Sequence, residues 1–327
     1  MMHKVSRNLP FLLIGLILFW LSGAVDELRV FQGATASVYV IAIASIVLLT
    51  GFSGQISLGH GALLAVGAYA AVLSQKHWGL PLAATFVIAV LSAAAVGAIL
   101  GVAAARLKGP YLAGTTLAFA VGLPTLANQF SILGGEQGLN YEVGQPPKSL
   151  GADFTQYKWY FWIAGLAALI TVWVTFNILK SRYGRQWRAL KSSQVSAQLA
   201  GINVPRAKVL AFTISSGIAG LAGALLALTL NLVTPSAFPL SLSFAIVTGA
   251  VLAGVSNLAG SLVGALVLVV IPDLAELIAN NLGGAERISA ALPGLITSAL
   301  LILTILFGPI DGGVHLRKRT KHQKTEG

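Results

Sequence analysis

The chain has 327 residues, 56% of them hydrophobic, with 36 glycines and a mean hydropathy of +0.83. No soluble domain buries so large an apolar fraction, so the composition specifies an all-α, polytopic membrane protein. The net charge of +11 is not a nucleic-acid footprint, because the cations sit in short loops and at the two ends, and the absence of cysteine excludes disulfides, thiolate metal sites and a Cys nucleophile.

In chain order, a basic head at Lys4 and Arg7 precedes an apolar run at residues 9–21. Residues 1–24 also have the layout of a signal peptide, but Trp20 closes the run like an interfacial anchor, so the run is read as a retained first span. A second span, residues 30–50, ends at GFSGQISLGHG (51–61), which is rich in glycine and polar side chains but carries no formal charge. At membrane depth such backbone is tolerated only against protein or a water-filled cavity, so it is expected to be a broken helix lining a substrate route; an ordinary turn between two helices is the alternative. His60 on its own is read as a hydrogen-bonded structural residue.

Residues 62–73 follow as an apolar segment, then residues 82–105, where Gly97 and Gly101 stand in GxxxG spacing for close helix packing. Residues 111–130 cross outward, with Gly122 and Pro124 expected to interrupt them. The polar connection at residues 131–158 contains three acids and is expected outside as ordered turns with a short surface helix rather than a domain. Residues 159–179 return to the basic loop at residues 180–208, which holds Lys180, Arg182, Arg185, Arg188, Lys191, Arg206 and Lys208 and no acid. Such charge resists translocation and marks a cytoplasmic loop. Helical spacing over residues 187–201 places Trp187, Leu190, Gln194, Ala197 and Gly201 on one face, with Asn203 and Pro205 as the stop. That face, framed by Arg185 and Arg188, is the expected docking element for a cytoplasmic partner; a loop held to anionic lipid is the alternative.

Residues 209–233 cross again. The 240–271 stretch is too long for one crossing and is expected to break at GVSNLAG (254–260), which returns the later charge clusters to their proper sides. Residues 288–307 form the last span, and residues 314–327 a basic cytoplasmic tail. The total is about ten membrane segments with both termini cytoplasmic, and the paired breaks at 51–61 and 254–260 suggest an internal repeat. Ionisable side chains are missing from residues 30–59 and 209–272, which argues against a proton-coupled carrier; a sodium-coupled carrier survives that test. There is no GxxxxGK[ST], so ATP is not expected to be hydrolysed by this chain, and no catalytic or metal-ligating constellation stands out.

Residues 51–71, GFSGQISLGHGALLAVGAYAA, closely resemble the signature of the LivM/LivH permeases of bacterial branched-chain amino-acid ABC importers. LKGPYLAGTTLAFA (107–120), GGEQGL (134–139), the region ending AGINVPRAKVLAFTISSGIAGLAGAL and LFGPIDGG near the end fit the LivM branch, so the resemblance spans roughly residues 30–313. It implies one permease domain over residues 1–327 in the inner membrane, transporting by alternating access. It also implies a second, LivH-like permease, two cytoplasmic ATP-binding subunits and a periplasmic binding protein as partners. No cofactor is expected on this chain, with ATP used by the partners. The segment matching the ATPase-coupling region, residues 192–203, carries Gln194 and Gln198 where such permeases commonly have acids. Because an aliphatic amino acid is a zwitterion, a route for it is expected to use hydroxyls, amides and helix ends. The candidates are Gly51, Gly54, Gln55, Ser57, Gly59, Thr115, Thr116, Asn128, Asn231 and Asn257. Related permeases carry urea or short amides, which leaves that substrate class as the alternative.

Overall fold

The structure is a computed structural model that describes residues 25–281, apart from 108–109, 143 and 148–153, together with a few isolated positions beyond that range. The expected spans at residues 9–21 and 288–307, and the tail at 314–327, lie outside the described residues. The other eight expected segments are helices: α1 (Glu27–Ile46), α2 (His60–Trp78), α3 (Leu82–Arg106), α4 (Pro110–Gln129), α5 (Gln156–Lys180), α8 (Val204–Leu230), α9 (Leu240–Leu252) and α10 (Ser261–Asn281). The basic loop supplies two more, α6 (Arg182–Ser192) and α7 (Gln194–Leu199). Among the described residues five helices are long and apolar enough to cross a membrane, or six if α4 and the turns after it, bent by 98°, count as one. Expected segments α2 and α10 are not in that set. The contacts described below fall within the compact unit of residues 1–270; residues 271–327 form a second unit.

The core is built around α8, whose buried face includes Ala211, Phe212, Ala219, Ala222 and Leu225. It lies along α3 and α2 and also meets α1, which in turn packs on α5. Between helices in a bilayer no hydrophobic gain is available from lipid, so close van der Waals approach has to supply the attachment. Small residues make that possible here. A Cβ on Gly97 would collide with Ser216 of α8, and one on Gly101 would sit 3.0 Å from Val209 Cα, so the GxxxG pair of α3 does face α8 as its spacing predicts. On the other side of α8, Gly67 of α2 rests on the backbone of Gly220, and Gly223 on the carbonyl of Leu64.

Three expectations change. First, α4 runs unbroken through Gly122 and Pro124, because a proline removes only one helical hydrogen bond and a membrane helix tolerates it. Second, the long connection adds a strand pairing to its expected turns and short helical stretch. Leu139–Asn140 (β1) pairs antiparallel with Leu232–Val233 (β2), with Leu139 opposite Val233. Around this bridge Thr85 Oγ1 and Tyr141 Oη lie 2.6 Å apart, Tyr160 donates to Asn231 Oδ1 at 2.7 Å, and Gln75 exchanges two hydrogen bonds with the backbone of Glu142. Burial pushes the Tyr141 phenol up to about 12, against the opposing pull of the Thr85 hydrogen bond. Third, the helix expected over residues 187–201 is split. Ser193 is extended and caps α7 by accepting from Ser196 N, so the serine pair starts a new helix rather than continuing the old one. That helix ends in a left-handed Gly201 (φ 79°), with Ile202 N bonded to Ala197 O and Gly201 N to Gln198 O. Asn203 and Pro205 do not end α7; they begin α8, where Asn203 Oδ1 accepts from Arg206 N.

Replacing Gly67 with Leu is expected to lower the stability of the detergent-solubilised chain by about 3 kcal/mol or more, since the side chain meets backbone that cannot move aside. Gly114→Ala, with nothing within 4 Å, is the matched control and should be neutral or mildly stabilising; denaturant midpoints followed by circular dichroism compare the two.

Candidate translocation site and its basic-loop clamp

The last turn of α1 widens into a π-helix at Val47–Phe52, after which the chain is irregular up to α2. Irregular backbone inside a helical bundle must have its polar groups satisfied by neighbouring protein. Side chains from three other places, together with Thr50 of the segment itself, do this. Leu58 N donates to Thr116 Oγ1 of α4 at 3.0 Å, and Gly61 N donates to Ser243 Oγ of α9 at 2.9 Å. The Gly51 carbonyl accepts from Ser256 Oγ at 3.2 Å, and the Gln55 carbonyl from Thr50 Oγ1 at 3.0 Å. The Gln55 amide nitrogen donates to Ser53 Oγ (2.9 Å) and to the Lys208 carbonyl of α8 (3.3 Å). Its Oε1 is buried and has no partner, and exchanging the two amide atoms would set oxygen against the Lys208 carbonyl oxygen.

His60 is fully buried and spans from the break to α8, with Nδ1 3.1 Å from Ser57 Oγ and Nε2 3.0 Å from Ser215 Oγ. Ser215 donates its own proton to the Ser45 carbonyl of α1 at 2.7 Å, so toward His60 it accepts. The ring is therefore the neutral Nε2–H tautomer, and Nδ1 accepts from the Ser57 hydroxyl. One hydrogen-bonded line thus joins α1, α8 and the break, and the reading of His60 as a structural residue agrees with this geometry.

The second break, between Leu252 and Ser261, is where the sequence places it. It closes directly on the first: a Cβ on Gly51 would collide with the Val255 carbonyl, so only glycine permits that contact. Beneath both lies the basic loop. Lys191 Nζ, at the end of α6, donates to Ser256 Oγ at 3.0 Å, the same hydroxyl that donates to Gly51 O. The Lys191 side chain also covers Gly54, which turns the chain at φ 71°; a Cβ there would stand 3.2 Å from Lys191 Cγ. One lysine therefore touches both helix breaks.

The expected pathway residues divide accordingly. Gly51, Gly54, Gln55, Ser57, Gly59 and Thr116 are brought together, and a Cβ on Gly59 would lie 2.6 Å from the Thr116 carbonyl. Asn257 is exposed in the second break and caps its own turn through Ala259 N. Thr115 is exposed and bonded back to Leu112 O, and Asn128 is exposed near the far end of α4. Asn231 stands at the other end of α8, roughly 40 Å from its start by helix rise over 27 residues, as the left-handed cap that holds Tyr160. Hydroxyls at Ser243, Ser215 and Ser256 belong to the site and were not singled out; a lone serine in an apolar run carries no positional signal.

The docking face changes most. Trp187, Leu190 and Ala197 are buried within this chain, at 0%, 2% and 1% exposure, and Trp187 Nε1 donates to the Ala207 carbonyl at 3.0 Å. The stripe is apolar because it seats the loop on α8, not because it is presented outward. Arg185, Arg188, Gln194 and Gly201 are exposed, and the outward apolar side chains are Val195 (67%) and Leu199 (86%).

Two broken helices meeting under a basic cap, inside a polytopic bundle, define a membrane protein of the solute-conducting kind. Over residues 30–305 the chain matches the family described as branched-chain amino acid transport system / permease component, and it belongs to that family. It is 30% identical over 263 residues to the high-affinity branched-chain amino acid transport system permease protein LivM of Escherichia coli K12, covering 72% of this chain and 61% of that one. It is 27% identical over 300 residues to the corresponding LivH of the same organism, covering 86% and 93%. A probable LivM of Methanocaldococcus jannaschii is 25% identical over 221 residues, 65% and 63% of the two chains. The chain thus spans about three-fifths of the length of the LivM relatives it matches. No solved structure matches.

His60→Phe keeps an aromatic ring but leaves the Ser57 hydroxyl without its acceptor, while Ser215 keeps its bond to the Ser45 carbonyl. The unsatisfied Ser57 hydroxyl should cost about 1–3 kcal/mol, visible as a lowered unfolding midpoint in detergent.

Proposed function

We propose that this chain is a membrane-spanning subunit of an ABC importer for branched-chain amino acids. It would work with a second permease of its own family, two cytoplasmic ATPases and a periplasmic binding protein. What carries the reading is the family match over residues 30–305, taken with relatives whose names state branched-chain amino acid transport. The basic end faces the cytoplasm: Arg106, Lys180, Arg182, Arg185, Arg188, Lys191, Arg206 and Lys208 gather there, whereas Asp26, Glu27, Glu136 and Glu142 lie at the other end or in the loop beside it. Both termini are then cytoplasmic.

On this reading the ATPases dock on the exposed side of α6 and α7, using Arg185, Arg188, Gln194, Val195 and Leu199, while Trp187, Leu190 and Ala197 hold α6 and α7 rigidly to α8. Glutamines 194 and 198 offer neutral hydrogen bonds in place of charge-assisted ones. Movement imposed on α6 reaches the conduit through Lys191, whose single hydrogen bond to Ser256 sits where the two breaks meet. The unpartnered Gln55 Oε1 supports a route there, because a buried acceptor lacking a donor is suited to a substrate ammonium or a water once the breaks part.

Affinity purification of the chain from its native membrane in mild detergent should bring a second permease and proteins with GxxxxGK[ST]; recovery of the chain alone, with sodium-dependent uptake in liposomes, would replace the importer by an ion-coupled carrier. In the purified assembly, Lys191→Met should leave the ATPases bound but cut leucine uptake per ATP hydrolysed by tenfold or about that, in proportion to one charge-assisted hydrogen bond of roughly 1.5 kcal/mol. Leu199→Glu combined with Arg188→Glu should instead release the ATPases without altering membrane insertion.

A further inference from the structure

A groove of about 660 Å³ runs between the basic ends of α3 and α8, apart from the breaks and from the α6–α7 surface. Val102 and Arg106 form its α3 wall, and Arg206, Val209, Leu210 and Thr213 its α8 wall. Each wall is a stripe at helical spacing with an arginine at the same end. The Thr213 hydroxyl is turned back onto the Val209 carbonyl at 2.8 Å, so what lines the groove below the arginines is apolar. Val102 is 51% exposed, and one turn further along α3 Ile99 is 71% exposed, so the groove continues into a bare apolar helix face rather than closing off. Both guanidinium groups are exposed at the mouth, and neither is engaged by a carboxylate among the described residues. The sequence explains why: no Asp or Glu occurs between Glu27 and Glu136 or between Asp153 and Asp273.

We propose that this groove is a binding site for one anionic phospholipid, its phosphate held between Arg106 and Arg206 and one acyl chain lying along Val102, Val209, Leu210 and Thr213 toward Ile99. The charge pattern selects the occupant. Two planar guanidinium forks match a phosphate, whereas a partner helix would have to bring its own acids to the edge of a groove otherwise lined with hydrocarbon. Zwitterionic lipid fills the same apolar volume, but its ammonium group repels the two cations that its phosphate attracts, so it is held more weakly. The leaflet concerned follows from the orientation proposed above; the binding itself does not depend on that orientation, nor on the transported substrate.

The test uses the full chain, purified in mild detergent and stripped of lipid, with phosphatidylglycerol, phosphatidylcholine or inorganic phosphate added separately. Native mass spectrometry counts bound lipid and thermal unfolding reports stabilisation. One phosphatidylglycerol should be retained with a raised unfolding temperature, and Arg106→Gln with Arg206→Gln should weaken that binding about thirtyfold, the loss expected for two cations near a lipid headgroup. Thr213→Trp, which fills the groove and keeps both arginines, should abolish retention. The pair Arg182→Gln and Arg185→Gln, outside the groove, should leave it unchanged. Equal retention of phosphatidylcholine, undiminished binding in the double glutamine variant, or complete competition by inorganic phosphate would each overturn the proposal. A dimer that Thr213→Trp separates would overturn it too, by assigning the groove to a second copy of the chain.

Discussion

Backbone that leaves helical geometry inside a membrane has no water to satisfy it, and the rest of this structure is arranged around that constraint. The segment between α1 and α2 frees several amides and carbonyls, and three of them are met by hydroxyls delivered from elsewhere in the fold: Thr116 from α4, Ser243 from α9, Ser256 from the second break. A hydroxyl is small, uncharged and able to donate or accept, which makes it cheap to carry through hydrocarbon. The helices that supply these groups must therefore stand in register with the break. The glycines of α2 and α3 that let α8 approach within backbone contact are what hold that register.

The same arrangement explains how a site with no formal charge can still be specified. His60, Ser57, Ser215 and the Ser45 carbonyl form a directional chain in which each proton has one place to go. Such a network is stiff only while complete, because a buried polar group without a partner is costly. Gln55 is the exception, with one end fully engaged and its Oε1 left over. The strongest attachments thus surround an acceptor, Gln55 Oε1, that has no partner of its own.

The basic loop gains a different meaning from its folded position. Amphipathic spacing marks a face but does not say which body the face meets. In Trp187, Leu190 and Ala197 the apolar face is spent on the loop's own attachment, and the indole hydrogen bond to Ala207 locks it. A loop clamped in this way is held firmly to α8, and Lys191, at the end of α6, links it through its side chain to Ser256, whose hydroxyl reaches Gly51.

Much was legible in the chain itself, since hydropathy, charge placement and glycine clusters are local properties. The helices among the described residues, both helix breaks, the GxxxG contact of α3 and the family signature at residues 51–71 all follow from such patterns. The serine pair at 192–193 and the Asn203–Pro205 start of α8 were equally local, but there the capping chemistry competed with helical periodicity and prevailed. Only the tertiary structure decided which polar residues meet. Asn231 and Gln55 are alike in sequence terms, yet one caps α8 at the far end and the other lies in the break, because helix length and packing register, not residue type, set their depth. The contacts of Lys191, Ser256 and Ser243 join residues up to 205 positions apart, and no local pattern encodes a partner at that separation.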